Sequence, residues 1–370
     1  MKILVAPLNW GLGHATRCMP IIDSLIDEGC EVVLASDGRS GDLLKAEYPQ
    51  LMYYKLPSYD ITYDTKNFVW LLFKQSPKAL MAILNERKTI QKLVQKESIS
   101  VIISDNRFGC IDKNTHSIYL THQTYIIPPT KWLEGIINGV NKRYISKFSE
   151  VWIADVEQTP GMAGVLSHNH SFRAKYLGIL SRMQRKTMAN QYDICILLSG
   201  PEPQRTQLEF ELLEQANELK GQKIIVIQGK TDERQSSKLV HPNLEIVSFL
   251  TTKELNRVFL QSKMIVSRSG YSTIMDLHRL KKKALLIPTP GQTEQEVLAE
   301  SFNSSGVCDI QKQGAVDLKH AFDNRDKYSG FAEKKQKIQI QEFIRQWLDQ
   351  FALRHNLVSS INGLGAKSEH

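Results

Sequence analysis

The chain opens on an apolar run, "KILVAPL", and comparable runs recur along its whole length. Short apolar runs bounded by Gly, Pro or Asp read as buried strands. Stretches with an apolar residue at every third or fourth position read as helices. In the first half the pattern predicts strands at "KILVAPL", "CEVVLASD", "LMYYKLP", "SVIISDN", "SIYLTHQ" and "SEVWIAD". Helical spacing occupies "RCMPIIDSLIDEG", stopped by Gly29, and "GDLLKAEYP", ended by Pro49, while Phe68 to Glu97 reads as one or two helices broken near Pro77.

The second half restarts the series. Strands are predicted at "YDICILLSG", "QKIIVIQG", "LEIVSFL", "KMIVSRSG" and "KALLIPTP", and helices at "TQLEFELLEQANEL", "TKELNRVFLQS", "YSTIMDLHRL" and "QEVLAESFNSSG". "KKQKIQIQEFIRQWLDQFALRH" reads as a long amphipathic helix, and the tail from Leu357, rich in Ser, Gly and Asn, as unordered. Strands alternating with helices imply parallel βαβ units. A single core rarely grows past roughly 250–300 residues, and this chain has 370. The expected class is therefore α/β, with two doubly wound Rossmann-like domains facing a cleft. They are assigned to residues 1–180 and 190–350, with the C-terminal helix packing across them and 357–370 as a tail. The polar, basic stretch Tyr176 to Gln191 is the expected join.

Composition narrows the functional class. The chain is 42% hydrophobic and 23% charged, as expected of a soluble globular protein. Its net charge of +8, from 47 Lys+Arg against 39 Asp+Glu, suits an anionic ligand or an acidic surface, or is simply a basic solvated exterior. No Lys/Arg run is interleaved with aromatics, so nucleic acid is not an expected partner. The five cysteines are scattered and form no CxxC pair, which argues against a disulfide framework or a zinc site and fits a reducing cytoplasm. No apolar window of about 18 residues exists to span a bilayer, and no leader is expected. "NFVWLLFKQSPKALMAILNERK", Asn67 to Lys88, mixes aromatics, aliphatics and lysines. It suits either a core-facing stripe or peripheral contact with the inner face of a membrane.

In open α/β sheets, ligands bind at the carboxyl ends of the strands. After the first strand comes "NWGLGHATR", whose Gly11 and Gly13 allow a tight turn and close backbone approach. It is not a dinucleotide fingerprint, because Thr16 stands where the third glycine would be. His14 either faces the cleft as a base or packs the turn. Asp105, after the fourth strand, orients His14 or caps a helix, and His122, after the fifth, contacts the acceptor or is a satisfied buried histidine.

In the second half, Ser199 and Gly200 of "LLSGPEPQR" can bring N–H groups to a diphosphate, and Arg205 can add a charge-assisted contact. "SRSGYSTIMDL" opens a helix with the hydroxyls and N–H groups of Ser269, Gly270, Ser272 and Thr273, a phosphate-sized site. Asp276, about one turn later, can accept both hydroxyls of a ribose. In "IPTPGQTEQEV", residues Gln292, Thr293, Glu294, Gln295 and Glu296 supply the paired donors and acceptors that suit sugar hydroxyls, or an acidic first turn.

The order of these motifs resembles that of the GT-B glycosyltransferases, most closely family 28, on "GLGH", "SRSGYSTIMDL" and "PTPGQTEQE". The resemblance covers roughly residues 1–350. It implies a nucleotide-sugar donor on the C-terminal domain, a small-molecule or lipid-linked acceptor on the N-terminal one, and no metal or other cofactor. On the resemblance, His14 lies near the reacting centre as base or electrostatic support. Ser199, Gly200, Ser269, Gly270 and Ser272 line the donor diphosphate, Asp276 holds the ribose, Phe249 and Leu250 frame the base, and Gln295 and Glu296 meet the sugar; Arg268, in the same "SRSGYSTIMDL" motif, is a further substrate-binding candidate with no assigned role. Two other functions remain open at this point. One is a nucleotide-sugar epimerase or hydrolase of the same architecture, using Asp105, His122 and Glu294 as further acid and base groups. The other is a non-catalytic nucleotide-sugar binding subunit.

Overall fold

A computed structural model of the chain describes residues 1–59, 68–230, 235–332 and 338–365. The N-terminal half runs β1 (Lys2–Pro7), α1 (Gly13–Asp27), β2 (Glu31–Ser36), α2 (Gly38–Glu47), β3 (Met52–Lys55), α3 (Phe68–Glu97), β4 (Val101–Asp105), β5 (His116–Thr121), α4 (Glu134–Ile145), β6 (Glu150–Ile153), α5 (Val165–His168) and β7 (Ala174–Tyr176). The C-terminal half runs β8 (Tyr192–Leu197), α6 (Gln204–Glu218), β9 (Ile224–Ile227), β10 (Ser237–His241), β11 (Leu244–Val247), α7 (Thr252–Leu260), β12 (Ser262–Ser267), α8 (Tyr271–Leu280), β13 (Lys283–Leu286), α9 (Thr293–Ser304), β14 (Asp309–Ile310), α10 (Leu318–Asn324) and α11 (Ile340–Gly365).

Each half builds one seven-stranded sheet, in the orders β3-β2-β1-β4-β5-β6-β7 and β10-β11-β9-β8-β12-β13-β14. Central strands such as β1 and β4 are buried along nearly their whole length, so they read as continuous apolar runs, as a sheet covered on both faces requires. The pairings are parallel except β10 with β11. In both sheets the order reverses beside the first strand of the half, between β1 and β4 and again between β8 and β12. Such switch points are where doubly wound sheets open a crevice for ligands.

Several elements differ from the sequence reading. Helix α3 continues unbroken from Phe68 to Glu97; one missing donor does not stop a helix whose downstream face buries Glu86, Ile90 and Leu93. Strand β10 was not expected, because its polar sequence forms an exposed antiparallel edge with no apolar run to signal it. Helix α1 starts at Gly13 rather than Arg17, which puts His14 in its first turn. Helix α11 extends to Gly365, past the expected start of the tail. The apolar positions Leu357, Val358, Ile361 and Leu364 keep helical spacing there; 366–370 lie outside the described residues.

Helix α11 returns to the N-terminal half. The Trp347 and Phe343 rings meet Trp152 of β6 edge-on, each at 5.2 Å, and Arg345 Nε donates to Glu28 at 2.9 Å. Among the described residues no helix is long and apolar enough to cross a membrane.

Candidate functional site

The loops after β1, β5 and β6 face those after β12 and β13, and bonds cross between them. Ser272 Oγ, in the first turn of α8, donates to the Gly13 carbonyl at 2.7 Å. A Cβ on Gly13 would lie 2.8 Å from that oxygen, so any larger residue there would displace the serine hydroxyl. The Tyr271 hydroxyl donates to the Ala154 carbonyl at 2.7 Å, and its ring stacks on His122 with centroids 4.2 Å apart. Thr293 Oγ1 donates to the Ile127 carbonyl at 2.7 Å. The two motifs singled out at opposite ends of the sequence therefore touch.

At the centre of this contact lies a buried polar cluster. Arg17 Nε donates to Asp105 Oδ2 at 2.8 Å, and its Nη2 pairs with Asp105 Oδ1. Nη1 lies 2.6 Å from His122 Nδ1 and Nη2 lies 2.8 Å from His14 Nδ1. His122 Nε2 is 2.8 Å from Glu294 Oε1 across the cleft. Asp105 and Arg17 are almost wholly buried. Burial would raise the Asp105 carboxyl, but the Arg17 guanidinium outweighs it and holds the group well below the carboxylate range. Burial and Arg17 both push His14 down, against the pull of Asp105. Glu294 is likewise held low, because His122, His14 and Arg17 outweigh its burial. His14, Asp105, His122 and Glu294 thus form one cluster. Arg17, its hub, was not named as a site residue; with the helix starting at Gly13 it stands one turn after His14 on the same face.

A second missed arginine organises the floor beneath this loop. Buried Arg107 donates to Glu86 Oε1 at 2.5 Å, to Asp37 Oδ1 at 2.6 Å and to the Pro57 carbonyl at 2.8 Å. Asp37 in turn accepts from Asn9 Nδ2 at 3.2 Å. The opening loop is thereby tied to the ends of β2 and β4.

In the C-terminal half, Arg268 is buried and donates to the carbonyls of Ile287, Pro288 and Gln204 and to Gln313 Oε1. It makes no ion pair among the described residues, and burial lowers it to about 10. Its Nε has no partner, nor has Thr289 Oγ1, and both line the space over Gly200, at 3.8 and 3.6 Å from where a Cβ would stand. Ser199 and Gly200 are exposed beside them, with Gly200 at φ +108°. Helix α8 begins at N-cap Gly270, which brings no side-chain acceptor to the first N–H groups. A buried cation, an orphan hydroxyl and a helix N-terminus are the ingredients of an anion site.

The remaining candidates are placed differently. Arg205 is held by Glu202 and Glu209, at 2.6 and 2.8 Å, so of these two arginines it is Arg268 that is left for an anion. Asp276 accepts from Ser181 Oγ at 2.5 Å, beneath the join between the halves. Ser269 Oγ donates to the Gln295 carbonyl, Gln295 holds Gln292 and the Thr289 N–H, and Glu296 accepts from the Gly291 N–H, so this loop is bonded largely to itself. Phe249 and Leu250 follow β11 half-buried, and Thr273 is half-buried on α8. Gly11 is exposed at φ +82°, a turn conformation that favours glycine.

Residues 206–350 match the glycosyltransferase family 28 C-terminal domain. The chain is 25% identical over 334 residues to a transferase of Clostridium tetani (strain Massachusetts / E88), covering 85% of this chain and 88% of that protein. That relative is named UDP-N-acetylglucosamine--N-acetylmuramyl-(pentapeptide) pyrophosphoryl-undecaprenol N-acetylglucosamine transferase. The chain is a glycosyltransferase with a GT-B fold, and its C-terminal half is similar to the family 28 domain. Solved structures share the fold of this transferase. MurG of Acinetobacter baumannii superposes with TM-score 0.55 at 12% identity over 89% of this chain and 92% of that one. The glycosyltransferase SnogD of Streptomyces nogalater gives TM-score 0.60 at 12% identity, over 95% and 99%. The transferase thus has the two-sheet architecture that the order of its motifs implied.

Proposed function

We propose that the transferase moves a sugar from a nucleoside-diphosphate donor, a UDP-sugar, to an oxygen of a lipid-linked acceptor, without a metal ion. The observation that carries the reading is Arg268: a buried cation with no carboxylate partner among the described residues and an orphan Nε aimed over Gly200. Leaving such a charge uncompensated is costly, and a diphosphate would compensate it. In the transfer, the bond from the sugar's anomeric carbon to the diphosphate breaks as the acceptor's hydroxyl oxygen bonds to that carbon, and the hydroxyl proton leaves to water or to the departing diphosphate. Negative charge then grows on the leaving diphosphate. Arg268 and the first N–H groups of α8 would meet that charge, a preorganised electrostatic contribution. The Clostridium tetani relative names a UDP-sugar and an undecaprenol-linked acceptor, which supports this donor and acceptor class.

Contact with a membrane surface fits the same reading. Of the stretch Asn67 to Lys88, the side chains of 67–77 lie outside the description, but Leu80, Met81 and Leu84 are exposed on α3. Trp132, Ile136 and Val140 form a second exposed row, at a spacing of four residues along α4 and the turn before it, beside Lys131, Lys142 and Arg143. An apolar row flanked by cations suits an acidic lipid surface.

The test is a thermal-shift panel of UDP, dTDP and their sugars on the wild type and on Arg268→Met. A ligand at about 100 times its Kd adds roughly 2.7 kcal/mol of stability. UDP or a UDP-sugar should stabilise the wild type and lose most of its effect on the variant. If no nucleotide shifts the wild type, the donor reading fails. Radiolabelled transfer to lipid extracts, with and without EDTA, then tests acceptor class and metal independence.

A further inference from the structure

The hub of the cleft cluster is a guanidinium, a group that only donates. Arg17 uses Nε and one Nη2 hydrogen on Asp105. Its other Nη2 hydrogen faces His14 Nδ1 at 2.8 Å, and an Nη1 hydrogen faces His122 Nδ1 at 2.6 Å. Each Nδ1 therefore has to accept. A neutral imidazole that accepts at Nδ1 carries its proton on Nε2. For His122 this agrees with an independent contact, since its Nε2 lies 2.8 Å from the Glu294 carboxylate, which only accepts when ionised.

For His14 the consequence is chemical. A His–Asp pair acting as a base keeps the proton on Nδ1, bonded to the carboxylate, and offers a bare Nε2 to the substrate. Here Asp105 Oδ1 is 3.2 Å from His14 Nδ1, farther than the 2.8 Å contact to Arg17. The carboxylate is already engaged by two guanidinium hydrogens. The first turn of α1, where His14 sits, also disfavours a positive ring. The groups facing His14 are Arg17 from its own helix, Asp105 from β4 and His122 from the end of β5, with Glu294 from α9 behind His122.

We propose that Arg17 is a positioning residue that sets both His14 and His122 as Nε2–H tautomers, so that His14 offers the cleft a hydrogen-bond donor for an anionic oxygen rather than a base. This rests on the transferase reading and decides between two roles for His14. With its Nδ1 lone pair held by Arg17 and its Nε2 carrying a proton, the neutral ring has no lone pair to take a proton from an acceptor. Glu294 reaches His122 from the C-terminal half and holds the same Nε2–H tautomer.

The test needs no substrate. Long-range proton–nitrogen correlation spectra of the ¹⁵N-labelled full chain report ring tautomers directly, with assignment by His14→Gln and His122→Gln. At pH 7 the wild type should show Nε2–H for both rings, with His14 staying neutral below the usual histidine range. In Arg17→Met, His14 should move to Nδ1–H against Asp105 and its titration should rise by about one pH unit or more. Should that variant unfold around the unpaired buried charge of Asp105, Arg17→Met with Asp105→Asn removes both charges and should release His14 from a single tautomer, while Glu294 keeps His122 as Nε2–H. A wild-type His14 that carries its proton on Nδ1, or is doubly protonated at pH 7, overturns the proposal, as does an Arg17 variant with both tautomers unchanged. Because no donor is present, these outcomes are separate from failure of the nucleotide panel.

Discussion

The Gly13 carbonyl accepts the Ser272 hydroxyl at 2.7 Å, joining the first turn of α1 to the first turn of α8. Gly13→Ala would place a Cβ 2.8 Å from that oxygen and turn the serine away. The expected loss is about 1 kcal/mol of stability, the net worth of one hydrogen bond. Ser272→Ala should cost a similar amount, and the double variant little more than either alone. A double-mutant cycle by urea unfolding measures this coupling; strict additivity would show that the loops are not joined in solution.

Arg268 and Arg205 should separate sharply in ligand binding. Arg268→Met is expected to weaken nucleotide binding by about tenfold to a hundredfold, the range of one charge-assisted hydrogen bond. Arg205→Met should change it far less, because Glu202 and Glu209 already neutralise that guanidinium. Isothermal titration of both variants with the best nucleotide of the panel checks the contrast. Equal losses would place the anion between Arg205 and Arg268 rather than at Arg268.

Arg107 is expected to matter for stability rather than for the donor. Arg107→Met leaves the Glu86 and Asp37 carboxylates buried without their cation, a change that typically costs about 3–5 kcal/mol. The midpoint of urea unfolding should fall accordingly. Nucleotide affinity of the folded fraction should stay within about twofold, because the cluster lies under the other half of the cleft. A large affinity loss with unchanged stability would reverse the assignment.

Asp276 should give the molecule a pH-dependent term. Burial raises its carboxyl to about 6, against the pull of Arg182 and the Ser181 bond. An unfolded aspartate titrates near 3.9, so the native state holds this proton more tightly between those values. The stabilisation is complete below about pH 4 and is lost as pH rises through about 6. Asp276→Asn should therefore be more stable than wild type at pH 7, by on the order of 1–2 kcal/mol, and indistinguishable at pH 4. If ribose hydroxyls bind the carboxylate, nucleotide-sugar affinity of the wild type should weaken below about pH 6. Unfolding curves and titrations at the two pH values test both halves of the prediction.

Much of the candidate site was legible because strand ends are legible. Once "KILVAPL", "SVIISDN" and "SIYLTHQ" read as parallel strands, His14, Asp105 and His122 had to stand at one edge of one sheet. Arg17 was hidden by a shift in the helix start: a helix beginning at Arg17 separates it from His14, whereas one beginning at Gly13 stacks the two. Arg205 was misjudged for another reason. Glu202 and Glu209 stand three residues before it and four after, and that local spacing already signals helical ion pairs. Thr289 carried no signal, since its importance lies in an orphan hydroxyl that only the packed loop reveals.

The sequence alone determined the order of the main strands and helices, the predominantly parallel sheets and the set of loops that face the cleft, but not the short or polar elements α4, α5, β7, β10, β14 and α10. Those follow from periodicity, which is local and is read within a window of a dozen or so residues. Tertiary structure decided which polar groups neutralise one another. Arg17 and Asp105 are 88 positions apart, and His122 and Glu294 are 172 apart. Whether a charge is available to a substrate depends on its burial and on its nearest opposite charge. No local pattern encodes either quantity, because both arise only when distant strand ends are brought into one dry space.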